Sequence, residues 1–151
     1  MAEITNITCP VSAERINENV ARTAAAYVII LSITGIAADN YLLIALLCVD
    51  FAIRAFTKGY ASPVRFMALQ TVSLLNIKNK PVDAAPKKFA AGVGMVFCAA
   101  IAALLYAGLT TAAWVMGGIL LICALLESAA GICVGCIVYT LLVLPFIKQP
   151  Q

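Results

Sequence analysis

The chain has 151 residues, of which 64% are hydrophobic and 11% are charged, whereas soluble domains have about 45–50% apolar and about 25% charged residues. Its mean hydropathy is +1.02, and a soluble core of this size cannot bury so much apolar surface. The net charge of +3 comes with no histidine and no basic stripe, which excludes zinc-finger, Ser/His hydrolase and nucleic-acid-binding classes. The composition predicts a small all-α integral membrane protein with a single membrane domain, residues 1–151.

The N-terminal segment, residues 1–22, is polar and contains three glutamates. A signal peptide has the opposite pattern, a basic start followed by an apolar core, so we expect this segment to be retained on the cytoplasmic side. The next region, residues 23–56, consists of two apolar stretches that are separated only by Asp39 and Asn40. Two apolar arms joined by a tight polar turn predict a first transmembrane hairpin.

The connection that follows, residues 57–88, contains Ser62 and Pro63, which are a favourable N-cap and first-turn pair for a helix. The segment after them predicts an amphipathic helix that either lies on the inner membrane surface or packs across the cytoplasmic end of the bundle. Its expected apolar face consists of Val64, Met67, Ala68 and Leu75, with Phe66, Leu69 and Val72 beside them.

A second hairpin is predicted over residues 89–130. From residue 112 to residue 147 the chain is nearly continuously apolar, which as one helix would measure about 54 Å, too long for one span and short for two. We therefore expect a break at Gly131, followed within residues 131–151 by a C-terminal helix that is re-entrant, interfacial or a fifth span. The predicted fold is a bundle of four transmembrane helices in two hairpins.

All ten Lys and Arg residues fall in the N-terminal segment, in residues 54–88 or in the C-terminal tail, and the two short turns contain none. By the positive-inside rule this distribution places both termini and the central connection in the cytoplasm. Pro10-Val11-Ser12-Ala13 recurs as Pro81-Val82-Asp83-Ala84. This similarity indicates either a tandem parallel repeat or a coincidence of four positions.

Three ionisable residues lie within the predicted spans. Asp50 and Arg54 are spaced i, i+4, so their side chains can meet on one helix face and offset the cost of burial. Glu127 has no counter-ion on its own helix, and Arg54 lies at a matching depth, which predicts an Asp50, Arg54, Glu127 cluster. The cluster is interpreted as a triad that fixes helix register, as a path for substrate or protons, or as a snorkelling arginine beside a protonated glutamate.

The six cysteines fall into two groups. Cys133 and Cys136 form a CxxC motif where a new helix is expected to begin, and a helix N-terminus favours the reactive thiolate. Cys9 is expected on the same face, where a reducing cytoplasm disfavours structural disulfides. The motif indicates redox or sulfur chemistry, soft-metal binding, or a close helix crossing around its glycines. We expect no resident metal or cofactor, and assign packing roles to Cys48, Cys98 and Cys123.

Five motifs in order resemble the bacterial inner-membrane family known as domain of unknown function 4395. They are Cys9-Pro10-Val11-Ser12, Arg15 to Arg22, Asp50 to Arg54, Pro81 to Ala90, and Leu126-Glu127 through Cys136. The resemblance implies a bacterial inner-membrane protein with no assigned activity. It singles out Cys9, Asn17, Asn19, Arg22, Asp50, Arg54, Asp83, Lys87, Glu127, Cys133 and Cys136 as family positions.

The leading hypothesis is a membrane protein that handles thiols or reduced sulfur. Cys133 would be the nucleophile, Cys136 the resolving thiol, and Cys9 a relay to a cytoplasmic thioredoxin-like or sulfurtransferase protein. Arg22 and the cluster of Asp50, Arg54 and Glu127 would bind an anion or pass protons. The alternatives are a small transporter for an anion or soft metal, and a non-catalytic scaffold subunit, so enzymatic activity stays open. Spans rich in Ala and Gly are compatible with a homo-oligomer in the bilayer, and no nucleic-acid partner is expected.

Overall fold

The computed structural model describes residues 14–147, so Cys9 and the first copy of the Pro-Val repeat lie outside the described residues. The described part is mostly helical. In chain order its elements are β1 (Arg15–Asn17), α1 (Glu18–Ala37), α2 (Tyr41–Phe56), α3 (Pro63–Leu74), β2 (Pro81–Asp83), α4 (Ala84–Tyr106), α5 (Thr110–Ala130), α6 (Val134–Val138), a π-helical segment (Tyr139–Val143) and α7 (Leu144–Ile147).

The two predicted helical hairpins are present as α1 with α2 and α4 with α5. In the first turn Asp39 adopts a left-handed φ of 48°, and the Asn40 side chain caps α2 by accepting the backbone N–H groups of Leu42 and Leu43. Three helices in the described part, α1, α4 and α5, are long and apolar enough to cross a membrane. The remaining helix of the two hairpins, α2, has 16 residues and would extend about 24 Å.

A short antiparallel pair of strands, which the sequence did not predict, joins the starts of the two hairpins. Arg15 of β1 pairs with Asp83 of β2. Each strand leads directly into a capped helix, since Asn17 accepts the N–H of Asn19 and Asp83 accepts the N–H of Ala85. Both helices therefore begin several residues before the apolar stretches predicted for them, and they leave opposite ends of the strand pair.

The halves β1 to α3 and β2 to α6 have the same order of elements and a corresponding pattern of helix contacts. Helix α1 packs against α5 and α3, and helix α4 correspondingly packs against α2 and α6. The first copy of the predicted repeat, Pro10-Val11-Ser12-Ala13, lies outside the described residues, so the repeat stays a prediction. Helix α1 begins at Glu18 with Asn17 as its N-cap, and helix α4 begins at Ala84 with Asp83 as its N-cap.

Helix α3 lies along α1, with Val64, Ala68 and Val72 buried in the contact. The fully buried Ala68 permits a close approach, and the Tyr27 hydroxyl of α1 meets the Thr71 hydroxyl at 2.8 Å. This arrangement favours the packed alternative for the amphipathic helix. Phe66, Met67, Leu69 and Leu75, which were expected on or beside the same apolar face, are exposed and are not buried against α1.

The C-terminal helical run, residues 134–147, packs against α4. Gly135 lies so close to Ala90 that an added Cβ would be 2.7 Å from the Ala90 Cα, and the rings of Phe89 and Tyr139 lie 5.5 Å apart. The π-helical segment precedes Pro145, a residue that removes a helical hydrogen bond and crowds the preceding turn. The run would extend about 21 Å, which is short for a span.

Gly131 ends α5 with a left-handed φ of 71° and a hydrogen bond from its N–H to the Glu127 carbonyl. Gly131→Ala is expected to lower the free energy of unfolding by about 1–2 kcal/mol, because a Cβ is disfavoured at this φ and would lie 2.7 Å from the Glu18 carboxylate. The measurement is unfolding in mixed micelles titrated with sodium dodecyl sulfate. The matched control is Gly92→Ala, where the new Cβ meets nothing within 4 Å and helix propensity rises. Equal stability of the two variants would contradict the assignment.

Candidate functional site

The candidate site lies at the end of the bundle where the two strands, the first turns of α1 and α4, the last turns of α2 and α5, and the starts of α3 and α6 meet. We call this the basic end. A cavity of about 440 Å³ extends from it between the helices. Apolar side chains from α1, α2, α4 and α5 form the deeper wall. Five cations line the cavity at the basic end, namely Arg54, Lys58, Arg65, Lys87 and Lys88.

Asp50 and Arg54 form the expected pair within α2, with Arg54 Nε 3.0 Å from Asp50 Oδ2. The other carboxylate oxygen, Oδ1, accepts the Ser62 hydroxyl at 2.6 Å and the Val64 backbone N–H at 3.1 Å. Asp50 is 2% exposed. Its hydrogen bonds with Ser62 and Val64 hold the start of α3 against α2. The guanidinium of Arg54 also lies over the Phe51 ring, 4.4 Å from its centroid.

The sequence predicted that Glu127 would pair with Arg54. In the structure Glu127 forms its ion pair with a different residue. Its carboxylate oxygen Oε1 lies 2.7 Å from Nζ of Lys87 in the first turn of α4. Lys87 and Glu127 both line the cavity, as does Arg54. The pair was missed because the two residues lie on different helices, although Lys87 is one of the family positions and its helix starts where α5 ends.

Arg22 has a different role from the one expected. Its Nε donates to the carbonyl of Ser128 at 3.2 Å, and its Nη2 donates to the carbonyl of Ala129 at 2.7 Å. These are the last carbonyls of α5, which lack partners within the helix, and a cation there also interacts favourably with the helix dipole. Arg22 therefore caps α5 and does not line the cavity.

Cys133 and Cys136 lie at the start of α6, with Cys133 as the N-cap residue. Cys133 is 8% exposed and lines the cavity. A hydrogen bond from the Cys136 thiol lowers the pKa of Cys133, and the Lys87 charge acts in the same direction against burial and Glu127. The same hydrogen bond raises the pKa of Cys136. The two thiols therefore differ in acidity, and the more acidic one, that of Cys133, lines the cavity.

The remaining described cysteines lie in helices α2, α4 and α5. Cys98 is fully buried, and the Cys48 thiol donates to the Met95 carbonyl at 3.4 Å. Within residues 14–147 every cysteine is a free thiol, and no three His, Cys, Asp or Glu side chains come together as a metal site. Cys9 lies outside the described residues, so its expected approach to Cys133 stays a prediction.

A comparison with family models finds one match, described as "Domain of unknown function (DUF4395)", over residues 16–143. The chain belongs to this family. The DUF4395 match contains both hairpins and, within the site, Arg54, Lys87, Glu127 and both residues of the CxxC motif. No curated protein matches the chain, and no solved structure matches it either.

Proposed function

We propose that this DUF4395 protein handles thiols or reduced sulfur by thiol–disulfide exchange through Cys133 and Cys136. The observation that supports this most directly is the position of Cys133, which lines the cavity and is the N-cap residue of α6, where the neighbouring Cys136 thiol lowers its pKa. A thiol with a lowered pKa next to a second thiol that keeps its proton suits a nucleophile and its resolving partner.

The exchange would proceed in two steps. The Cys133 thiolate attacks a disulfide of a partner protein, forming a mixed disulfide and releasing one partner thiolate. Cys136 then loses its proton and attacks the Cys133 sulfur, which releases the second partner thiolate. The partner gains two electrons and, with two protons, becomes a dithiol, while Cys133 and Cys136 become a disulfide. The reverse sequence oxidises a partner dithiol.

The charge distribution supports a location in the bacterial inner membrane with the basic end in the cytoplasm. Basic residues concentrate at this end, in β1, in the first turns of α1 and α4 and around α3, whereas the opposite turns around Asp39 and Gly108 contain none. Lys and Arg are retained on the cytoplasmic side. A reducing cytoplasm would keep Cys133 and Cys136 as thiols and supply a thioredoxin-like or sulfurtransferase partner, with Cys9 as the proposed relay.

The proposal is tested by the pH dependence of Cys133 alkylation. Because the pKa of Cys133 is lowered, its thiolate persists to lower pH. We therefore expect its alkylation rate to be half-maximal at a pH below the pKa of an ordinary thiol, about 8.5. Cys136→Ala removes the hydrogen bond and is expected to slow alkylation of Cys133 at pH 7 by about three- to ten-fold. Rates are measured by peptide mass spectrometry after a timed iodoacetamide pulse.

Cys98→Ala provides the control, since this buried thiol lies away from the CxxC motif and its loss leaves the Cys133 profile unchanged. If Cys133 is alkylated no faster than Cys98, or if Cys136→Ala leaves its rate unaltered, the proposed nucleophile is wrong.

The cavity favours a second candidate, passage of a small anion, because the partly buried Arg54 lines a space between the helices and such charges mark ion pathways. The two candidate functions differ in whether they require the thiols of Cys133 and Cys136. Transport would survive replacement of both Cys133 and Cys136 by Ser, whereas thiol exchange would not.

A further inference from the structure

The cations of the cavity exceed the carboxylates that contact them. Among the described residues, Asp50 pairs with Arg54 and Glu127 pairs with Lys87, while Glu14 lies 2.6 Å from Lys88 and 3.9 Å from Lys58. The fifth cation, Arg65, lies over the Tyr60 ring at 5.3 Å. Five cations thus share three carboxylates, so the basic end of the cavity has a positive excess that attracts anions.

Arg54 is the cation best placed to bind an anion. Asp50 Oδ2 approaches only one edge of the guanidinium, at Nε, and Asp50 Oδ1 is occupied by Ser62 and Val64. Nη2 of Arg54 is buried and has no hydrogen-bond acceptor within residues 14–147. A buried donor without an acceptor is rare, and the planar guanidinium suits the oxygens of carboxylate, sulfate and phosphate groups.

The rest of the cavity is apolar. Val28 of α1, Phe97 of α4, and Ile119 and Leu120 of α5 form its deeper wall. A volume of about 440 Å³ falls in the range of small-molecule sites, about 300–1,000 Å³. A bare inorganic anion would leave this apolar wall without a partner, so the cavity fits a ligand with one anionic group and an apolar portion.

We propose that the cavity binds an anionic amphiphile, with its carboxylate, sulfate or phosphate group on Arg54 and its apolar portion between α1, α4 and α5. The ligand can come from the bilayer as an anionic lipid or from solution as a short acyl or alkyl anion, and both present the same chemistry. Binding requires neither Cys133 nor Cys136, so it stands independently of thiol exchange.

The test uses the full chain in phosphatidylcholine nanodiscs, with both cysteines of the CxxC motif replaced by Ser. Hexyl sulfate, hexanol and hexylammonium are titrated by calorimetry. We expect hexyl sulfate to bind, and the neutral and cationic probes to bind at least ten-fold more weakly. Arg54→Gln is expected to weaken hexyl sulfate binding by about ten-fold or more, whereas Lys78→Gln, an exposed cation outside the cavity wall, leaves it unchanged.

A second variant keeps the test decisive if Arg54→Gln does not fold. Arg65→Gln keeps the ion pair between Asp50 and Arg54 and removes one cation from the basic end of the cavity. We therefore expect hexyl sulfate binding to weaken by a smaller factor, about three-fold. Native mass spectrometry of protein extracted from cell membranes then separates the sources. An anionic lipid that is retained by the parent protein and lost with the Arg variant supports the bilayer source, and hexyl sulfate binding without retained lipid supports a soluble anion. Equal binding of the three probes, or hexyl sulfate affinity unaltered by both Arg variants, overturns the proposal.

Discussion

Cys136→Ser is expected to accumulate a mixed disulfide between Cys133 and its partner, while Cys133→Ser accumulates none. The physical reason is the order of the two steps, since Cys133 attacks first and only Cys136 can release the partner from it. Ser at 136 removes the resolving sulfur but keeps a hydroxyl that can donate to Cys133. The difference between the two variants is therefore expected to be nearly all or none.

The measurement is non-reducing electrophoresis and mass spectrometry of tagged protein from acid-quenched cells. Cys48→Ser provides the matched control, because Cys48 lies within α2 and donates only to a backbone carbonyl; it should behave as the parent. Adducts that form equally on Cys133→Ser and Cys136→Ser would refute the exchange mechanism. The identity of the trapped protein tests the thioredoxin-like or sulfurtransferase partner separately.

Asp50→Ala is expected to lower the free energy of unfolding by about 3–5 kcal/mol, because it leaves the largely buried Arg54, whose side chain is 17% exposed, without its counter-ion. The same change removes the acceptor for the Ser62 hydroxyl and the Val64 N–H at the start of α3. Helix α3 would therefore lose its anchor as well. The measurement is unfolding in mixed micelles, followed by Trp114 fluorescence and circular dichroism.

Two further variants separate the charge from the hydrogen bonds. Ser62→Ala removes one donor to Asp50 and is expected to cost about 1 kcal/mol. Replacing Asp50 and Arg54 together by Leu removes both charges and should recover most of the loss, because a buried ion pair is often worth no more than an apolar pair. If Asp50→Ala costs less than 1 kcal/mol, Arg54 does not depend on Asp50 for its burial.

The local parts of the site could be predicted from the sequence and the non-local parts could not. Asp50 and Arg54 are one helical turn apart, so their contact follows from the i, i+4 spacing. The Lys87 to Glu127 pair joins α4 to α5 and depends on where each helix begins and ends. Because Asp83 caps α4 before the apolar stretch, Lys87 falls inside the helix and level with the last turns of α5.

Arg22 and helix α3 show the same difference between local features, which the sequence predicts, and non-local contacts, which it does not. The pattern around Ser62 and Pro63 predicts a helix start, but two orientations of an amphipathic helix bury similar apolar areas. The contact of Ala68 and Val72 with α1 decides between them. Arg22 was expected to bind a ligand from family resemblance, but the carbonyls at the end of α5 occupy its guanidinium.

By itself the sequence determined the mostly helical, apolar architecture, the break at Gly131 and the contact between Asp50 and Arg54. These properties depend on hydropathy, local spacing and backbone preferences, which act over one or two helical turns. Only the tertiary structure decided that β1 pairs with β2, that Glu127 contacts Lys87, and that Arg54 and Cys133 share one cavity. Those contacts join residues distant in the chain, and their geometry is set by helix packing that no local pattern encodes.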